Sequence, residues 1–214
     1  DLSGRTTVAD VLQSSTFNSF GSFTPSSGSS AQSYSGLSLR GLKHGWLWQL
    51  VTYLFVHGSP AHIILNMLGL YFMGPETERA IGSRHFLVLY FLTGILAGIG
   101  WLLISDAPWA VCIGASGAIF GVIGAYTALF PQRPVTLLVF FVLPVTMKAW
   151  MLAVFLAIVE LVFLLSSPQQ GIAYAAHLAG GVAGYVYALA LFRGLDGVAR
   201  VWRDWRRGAP ASQM

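Results

Sequence analysis

Four polar side chains whose types suit hydrolytic chemistry stand in otherwise apolar stretches: His62, Asn66, Ser116 and His177. Ser116 lies in a Gly-Ala-Ser-Gly tetrapeptide at the start of a predicted helix, and His177 lies in the first turns of the last predicted helix. A serine hydroxyl is a weak nucleophile until an adjacent base accepts its proton, and histidine is a suitable base near neutral pH. The pair therefore predicts a catalytic Ser–His dyad.

An oxyanion site is predicted beside this dyad. His62 and Asn66 are four residues apart on one predicted helix, so their side chains share a face. Ser116 begins its helix, where backbone N–H groups have no partner within the helix. These donors, with the two side chains, could stabilise an oxyanion. Two acidic residues, Asp106 and Glu160, lie elsewhere near the same predicted side, but neither obviously completes a triad. For Glu160 we expect a structural hydrogen bond.

Each candidate residue also has a structural interpretation. Ser116, within Gly-Ala-Ser-Gly, could be one more small packing residue of a membrane helix. His177 could be a hydrogen-bonded interior residue, and His62 with Asn66 could form a polar clamp between helices. The enzyme interpretation is favoured because a nucleophile, a base and two donors occur on three predicted helices at one depth.

The composition indicates the environment in which these residues lie. Of the 214 residues 55% are hydrophobic and only 9% charged, the formal net charge is +4, and the mean hydropathy is +0.66. Ordinary soluble domains have about 25% charged residues, so a soluble domain, a disordered chain and a nucleic-acid binder are excluded. The single cysteine, Cys112, excludes an internal disulfide and a cysteine-based zinc site. We predict no metal and no cofactor.

The chain is expected to have three parts. Residues 1–45 form a polar extracytoplasmic segment or first loop, because they are rich in Ser, Thr and Gly and contain no apolar run able to span a bilayer. Residues 46–192 form a membrane core, and residues 193–214 form a basic cytoplasmic tail. A helix after Pro60 is expected to end at Met73 or to continue through Pro75. The run Val135–Leu143 is too short to cross and is expected to be interfacial or re-entrant. Five spans are predicted in all: 60–73, 86–104, 116–130, 150–165 and 172–192.

Charge placement gives the orientation. With five spans, nine of the twelve Lys and Arg residues fall on one side, including five in the tail. The positive-inside rule places that side in the cytoplasm. Loops 105–115 and 166–171 then face outward, so the site is expected to open to the extracytoplasmic side. We expect an integral multi-pass protein of a bacterial-type plasma membrane.

Small residues accompany the two proposed catalytic residues. Gly117 and Gly121 follow Ser116, and Gly180 and Gly184 follow His177, each pair with the spacing of close-packed membrane helices. Tight packing of these two helices would bring Ser116 within reach of His177.

With these residues in view, the chain resembles the rhomboid family of intramembrane serine proteases over about residues 46–192. The resemblance rests on Trp48-Gln-Leu-Val-Thr-Tyr and on three further motifs, which are His57-xxxx-His62-xxx-Asn66, Gly114-Ala-Ser116-Gly117 and Ala176-His177-xx-Gly180-xxx-Gly184. It implies a polytopic helical bundle with a water-filled cavity, Ser116 as nucleophile, and His177 as base. It also implies an oxyanion site of His62, Asn66 and the Ser116 amide, with His57, Phe120, Gly114 and Gly117 beside these groups.

Three features depart from the family pattern. The family core has six spans where five are visible, so a first span is expected upstream of Asp1 or is absent from this molecule. Phe120 stands where a tyrosine often stacks on the catalytic histidine. Gln49 stands where some members have an arginine, which puts a lipid-phosphate contact there in doubt.

The predicted function is hydrolysis of peptide bonds in or next to transmembrane segments. The implied partners are transmembrane protein substrates and membrane lipids, without nucleic acid, and no oligomeric state is predicted. Two alternatives remain open. One is a catalytically silent relative that binds transmembrane helices, and the other is a transporter or channel with His62, Asn66, His177 and Glu160 along its pathway.

Overall fold

The computed structural model describes residues 22–23, 34–105, 110–139, 143–166 and 172–193, which fold mainly into helices. Three of the described helices are long and apolar enough to cross a bilayer. This confirms the expected all-α membrane protein. Most of the polar first segment, nearly all of the basic tail and Asp106 lie outside the described residues. The helices are α1 Leu39–Lys43, α2 Gln49–Thr52 with a 3-10 turn Tyr53–Phe55, α3 Pro60–Ile81, α4 Ser83–Ile104, α5 Ser116–Leu129, α6 Ala149–Ser166, and α7 Ile172–Ala188 with a π-helical turn Leu189–Arg193.

Helix α5 is the centre of the bundle. Most of its residues are buried, and it packs against α3, α4, α6 and most extensively α7. Its sequence is almost entirely small and apolar, so it can be surrounded by other helices. Its first residue, Ser116, is therefore held at a fixed position relative to all four neighbours.

The glycines expected to pack α5 against α7 lie where the two backbones meet. A methyl group built on Gly180 would collide with the carbonyl oxygen of Gly117, and one built on Gly184 would collide with that of Gly121. Any side chain at either α7 position would therefore separate the helices. This close approach brings the start of α5 next to the second turn of α7.

Helix α3 continues to Ile81, past the Gly74-Pro75 step. Ser59 caps its N-terminus by accepting a hydrogen bond from the His62 amide at 3.1 Å, and Pro60 takes the first position. Beyond Pro75, the carboxylate of Glu76 accepts hydrogen bonds from Tyr126 and Arg133. These contacts hold the segment against α5 and its following loop, which offsets the backbone hydrogen bond that a proline removes.

The described residues of the run Val135–Leu143 lie in two paired β-strands, which the sequence analysis did not anticipate. Two strands, Pro134–Val139 and Leu143–Lys148, pair antiparallel from Pro134 opposite Lys148 to Val139 opposite Leu143. The hydroxyls of Thr136 and Thr146 lie 2.8 Å apart across the pair. Prolines at the strand starts disfavour a helix here, and the β-branched residues between them favour strands.

The segment before α3 is tied to the loop that leads into α5. Two short strands, Ser22–Phe23 and Val111–Cys112, pair antiparallel, and Leu37 forms an isolated bridge with Cys112. Gln49 is fully buried, and its side chain hydrogen-bonds the Ser38 amide at 3.2 Å and the Tyr34 carbonyl at 3.2 Å. Gln49 therefore binds backbone within the protein rather than pointing outward.

Candidate active site

The hydroxyl of Ser116 and the imidazole of His177 are in hydrogen-bond contact. Ser116 Oγ lies 2.7 Å from His177 Nε2, although the residues are on different helices. Ser116 is half-buried at the first position of α5, and His177 is buried in the second turn of α7. The distance is short enough for direct proton transfer from the hydroxyl to the ring nitrogen.

The other ring nitrogen of His177 meets a carboxylate. Its Nδ1 lies 3.0 Å from Oε2 of Glu160, which projects from α6 and is buried. The sequence analysis expected a dyad without an acidic partner, and it assigned Glu160 only a structural hydrogen bond. The structure differs because the packing of α6 against α7 directs this carboxylate at the imidazole of His177.

Two aromatic rings enclose the imidazole. Phe120 stacks on it, with ring centroids 4.5 Å apart and an interplanar angle of 4°. Tyr174 meets it edge-on, at 6.5 Å and 81°. Phe120 lies four residues after Ser116, so one turn of α5 supplies both the hydroxyl and the stacking ring. The stack fixes the plane in which the His177 ring lies.

His62 and Asn66 converge on the backbone just before Ser116. A methyl group built on Gly114 would lie 2.7 Å from Cε1 and Nε2 of His62 and 3.7 Å from Nδ2 of Asn66. Gly114 also has φ of +113°, a region that side chains disfavour. Both constraints require glycine, because a side chain at position 114 would occupy the space in which His62 and Asn66 approach the backbone.

The donor atoms of these two side chains can be identified. The amide nitrogen of Asn66 is buried and has no hydrogen-bond partner among the described residues. Nδ1 of His62 accepts a long, 3.5 Å hydrogen bond from the Gly58 amide, which leaves the proton of a neutral ring on Nε2. That nitrogen faces the backbone at Gly114. Two N–H donors are therefore available beside Ser116.

Tyr53 connects the loop that carries Gly114 to α4. The Gly114 amide donates to the carbonyl of Tyr53 at 2.9 Å, and the Tyr53 hydroxyl donates to the carbonyl of Gly94 on α4 at 2.5 Å. Tyr53 is almost fully buried. The sequence analysis noted this tyrosine only as part of a motif, and its position in the chain does not reveal the contact with α4.

His57 packs beside His62 rather than against the proposed nucleophile. The two rings meet at 5.1 Å and 72°, and Nδ1 of His57 donates to the Phe55 carbonyl at 3.3 Å. Burial lowers the pKa of His57, a shift only partly opposed by that carbonyl. The lowered pKa favours the neutral form of the His57 ring, which packs edge-on against His62.

The described part of the chain contains no cluster of three or more His, Cys, Asp or Glu side chains able to hold a metal ion. A cavity of about 380 Å³ lies between α5, α6 and α7, and it extends from Phe120 and His177 toward Pro131 and Trp150. Its lining is largely apolar. The proposed nucleophile, base and side-chain donors thus lie within the first two turns of α5, α7 and α3, with an apolar space beside the imidazole.

The positions of Glu160 and His177 in the sequence already indicate that the two side chains can meet. Glu160 is the only acidic residue in α6 and lies about one and a half turns from the connection to α7, as His177 does from the other side. Two ionisable residues at equal distances from one short connection are placed at one depth. An intramembrane ionisable residue usually has a partner in the bundle interior, and His177 was the obvious one.

Comparison with known proteins shows the family of the chain. A family model described as Rhomboid domain matches residues 44–194. Rhomboid-like protease 3 of Toxoplasma gondii is 39% identical over 82 residues, covering 38% of this chain and 30% of its own length. The putative rhomboid protease YdcA of Bacillus subtilis is 35% identical over 86 residues, covering 40% and 43%. Rhomboid protein 1, mitochondrial, of Saccharomyces cerevisiae is 35% identical over 138 residues, covering 62% and 38%.

Each match covers only part of both proteins. The chain spans less than half the length of each of the three curated relatives. The matching family model nevertheless covers more than half of this chain, including all four polar residues from which the sequence analysis began.

Proposed function

This chain belongs to the rhomboid family, and we propose that it is an intramembrane serine protease that hydrolyses peptide bonds in or next to transmembrane segments. One observation carries the proposal: the 2.7 Å contact between Ser116 Oγ and His177 Nε2. A hydroxyl and an imidazole in this contact form an activated nucleophile, the requirement for acyl transfer. The names of the matching relatives, which include proteases, support the same reaction class.

The first half of the reaction forms an acyl-enzyme. Ser116 Oγ attacks the carbonyl carbon of the scissile bond while its proton passes to Nε2 of His177. The tetrahedral intermediate then collapses, the C–N bond breaks, and Nε2 returns the proton to the leaving amine. The acyl group remains esterified to Ser116.

The negative charge of the tetrahedral oxygen requires donors. The Ser116 amide, Nε2 of His62 and Nδ2 of Asn66 are the groups that we assign to it. The assignment is supported by the unpartnered, buried Asn66 amide and by the approach of both side chains to Gly114. Donors already fixed in place are effective because they need no reorganisation as charge develops.

The second half of the reaction releases the acyl group by hydrolysis. Nε2 of His177 accepts a proton from water, the hydroxide attacks the ester carbonyl, and Ser116 recovers its proton as the ester bond breaks. Water must therefore reach Ser116, whose half-buried position at a helix start is compatible with access from the outer surface. Substrate helices must unwind locally, because helical carbonyls are engaged in backbone hydrogen bonds.

The proposed orientation has the site open to the extracytoplasmic side and the C-terminus in the cytoplasm. It is supported by the nine Lys and Arg residues assigned to the opposite side. A bacterial-type plasma membrane is the proposed location. Cleavage would then occur near the outer surface of that membrane.

Purified protein, incubated in detergent with a tagged single-span substrate, tests the function. We expect cleavage by the wild type and none by Ser116→Ala. Ser105→Ala is the matched control, because Ser105 is a buried serine at the outer end of α4 that lies outside the proposed site. Equal cleavage by wild type and Ser116→Ala would contradict the assignment of the nucleophile.

A further inference from the structure

Glu160 is a buried carboxylate that a two-residue mechanism does not use. It is 8% exposed, and the residues beside it on α6 are apolar. An isolated ionised carboxylate in such surroundings carries a large desolvation penalty unless it is paired and hydrogen-bonded. Its observed partner is Nδ1 of His177 at 3.0 Å.

This contact determines which nitrogen of His177 carries the proton. An ionised carboxylate only accepts hydrogen bonds, so Nδ1 must donate to Glu160. In the neutral ring, Nε2 then has a free lone pair, and it lies 2.7 Å from Ser116 Oγ. The ring is thus in the one tautomer that can accept the proton of the Ser116 hydroxyl.

The aromatic neighbours of His177 do not determine which of its ring nitrogens faces Ser116. Phe120 stacks on the imidazole at 4.5 Å and fixes its plane, but a half-turn of the ring leaves the stack unchanged. That half-turn is a 180° rotation about the Cβ–Cγ bond, which returns the ring to the same plane but exchanges its two edges and moves Nε2 away from Ser116. Only a group that distinguishes the two ring edges can prevent it, and Glu160 contacts one edge alone.

The carboxylate also acts during the reaction. When Nε2 takes the proton of Ser116, the ring becomes an imidazolium in a largely apolar environment. A negative charge 3.0 Å from Nδ1 stabilises that cation more than it stabilises the neutral ring. The stabilisation therefore grows toward the transition state and lowers the barrier.

We propose that Glu160 is the positioning residue of a Ser116–His177–Glu160 triad, holding His177 in its reactive tautomer and stabilising the imidazolium. This inference rests on the proposed protease function. It replaces the dyad expected from sequence with three residues supplied by α5, α7 and α6. Glu160 acts through His177 and does not contact the substrate.

The test compares Glu160→Gln with wild type and with Glu78→Gln. Glutamine keeps the shape of the side chain and removes its charge, while the Glu78 variant makes the same chemical change on α3, away from the site. We expect kcat for substrate cleavage to fall about 10²- to 10⁴-fold in Glu160→Gln, as when the acid of a serine-protease triad is neutralised, with KM changed little. Glu78→Gln should cleave like wild type.

A second measurement does not depend on activity. The ¹⁵N NMR signals of His177, assigned by their loss in His177→Ala, report which nitrogen is protonated in the resting protein. We expect Nδ1 protonated in wild type and a mixture of tautomers in Glu160→Gln. This readout also decides the question if Glu160→Gln fails to fold, because the wild-type spectrum alone tests the contact.

The outcomes separate this inference from the proposed function. If wild type cleaves and Glu160→Gln cleaves equally well, the triad is wrong while the protease function stands. A wild-type spectrum with Nε2 protonated and Nδ1 free would also overturn it. If wild type does not cleave, the proposed function fails, and Nδ1 protonated in wild type but mixed in Glu160→Gln would still support the positioning of His177 by Glu160.

Discussion

At the scale of single residues, the reactivity of Ser116 depends on groups brought to it by other helices. The hydroxyl contacts Nε2 of His177. The ring of His177 stacks on Phe120, and its Nδ1 contacts Glu160. Each of these contacts removes a degree of freedom from the imidazole. The proposed base is therefore oriented before any substrate arrives, so the proposed reaction needs little rearrangement in the transition state.

Removing the Asn66 amide should impair oxyanion stabilisation. For Asn66→Ala we expect kcat to fall about 10²- to 10³-fold, with KM nearly unchanged, because other oxyanion donors contribute on that order. Steady-state cleavage of a transmembrane substrate measures the effect. Met67→Ala, an exposed neighbour on the same helix, is the control. An Asn66→Ala enzyme with wild-type kcat would remove this residue from the oxyanion site.

The stacking ring should matter through its shape rather than through any polar atom. Replacing Phe120 by leucine removes the parallel stack on His177, which is worth roughly 0.5–1.5 kcal/mol, and we expect kcat to fall about two- to tenfold. Phe120→Tyr keeps the stack and should retain activity. Comparing kcat for the two variants checks this. Loss of activity in the tyrosine variant with full activity in the leucine variant would contradict it.

The proposed reactive residues could be singled out from the sequence, but not all of their contacts. Ser116 and His177 stand out because polar residues are rare in such apolar helices. The link between His177 and Glu160 depends on the rotation of α6 about its own axis. The sequence of α6 alone does not determine that rotation, because it is set by packing against the neighbouring helices.

At the scale of elements, the site exists because α5 and α7 approach each other closely. The glycines at 180 and 184 place one backbone against the other, with no side chain between them. Interhelical contact in a membrane depends on such close packing, since the lipid is as apolar as the side chains. The 2.7 Å contact between the two proposed catalytic side chains depends on this packing.

Adding one methyl group to this interface should therefore separate the helices. Gly184→Ala places a methyl group against the backbone of Gly121, and we expect a loss of about 1–3 kcal/mol in unfolding free energy together with lower activity. Gly181→Ala is the matched control on the same helix, since its added methyl group would lie at an ordinary 3.7 Å from the nearest atom.

Thermal unfolding in detergent and cleavage assays on both variants make this comparison. A melting temperature that falls equally in the two variants would show that the close approach at Gly184 has no special role. A fall confined to Gly184→Ala supports it.

The helix positions followed from apolar runs, while the end of the helix after Pro60 was left open and one pair of strands was missed. The helix after Pro60 continues past Pro75 because Glu76 binds side chains from elsewhere in the chain, which no local pattern reveals. The strands after α5 depend on their pairing with each other. Both features are non-local, so hydrophobic periodicity alone could not predict them.

At the scale of the whole molecule, composition alone predicted a helical membrane protein. Few charges and many apolar residues indicate a membrane protein, and the long apolar runs favour α-helices, in which the backbone hydrogen bonds are satisfied within each segment. Orientation is a separate prediction, which rests on the distribution of Lys and Arg. The division at residues 45 and 192 also remains a prediction, beside the family match to residues 44–194.

Orientation can be tested with an impermeant maleimide on intact bacterial cells that express the chain. Burial raises the pKa of Cys112 to about 12, so almost no thiolate is present at neutral pH and the wild type should not react. In this background we expect Lys43→Cys to be labelled and Gln132→Cys to be labelled only after solubilisation. The reverse pattern would contradict the proposed orientation, and labelling of wild type would contradict the burial of Cys112.

The central claim is that Ser116 is a nucleophile activated by His177, and covalent capture tests it most directly. Wild type and His177→Ala would be treated with a fluorophosphonate probe, and the modified residue would be identified by peptide mass spectrometry. We predict a single adduct on Ser116 in the wild type and almost none in the His177 variant. An adduct on another residue, or equal labelling of Ser116 without His177, would contradict the account.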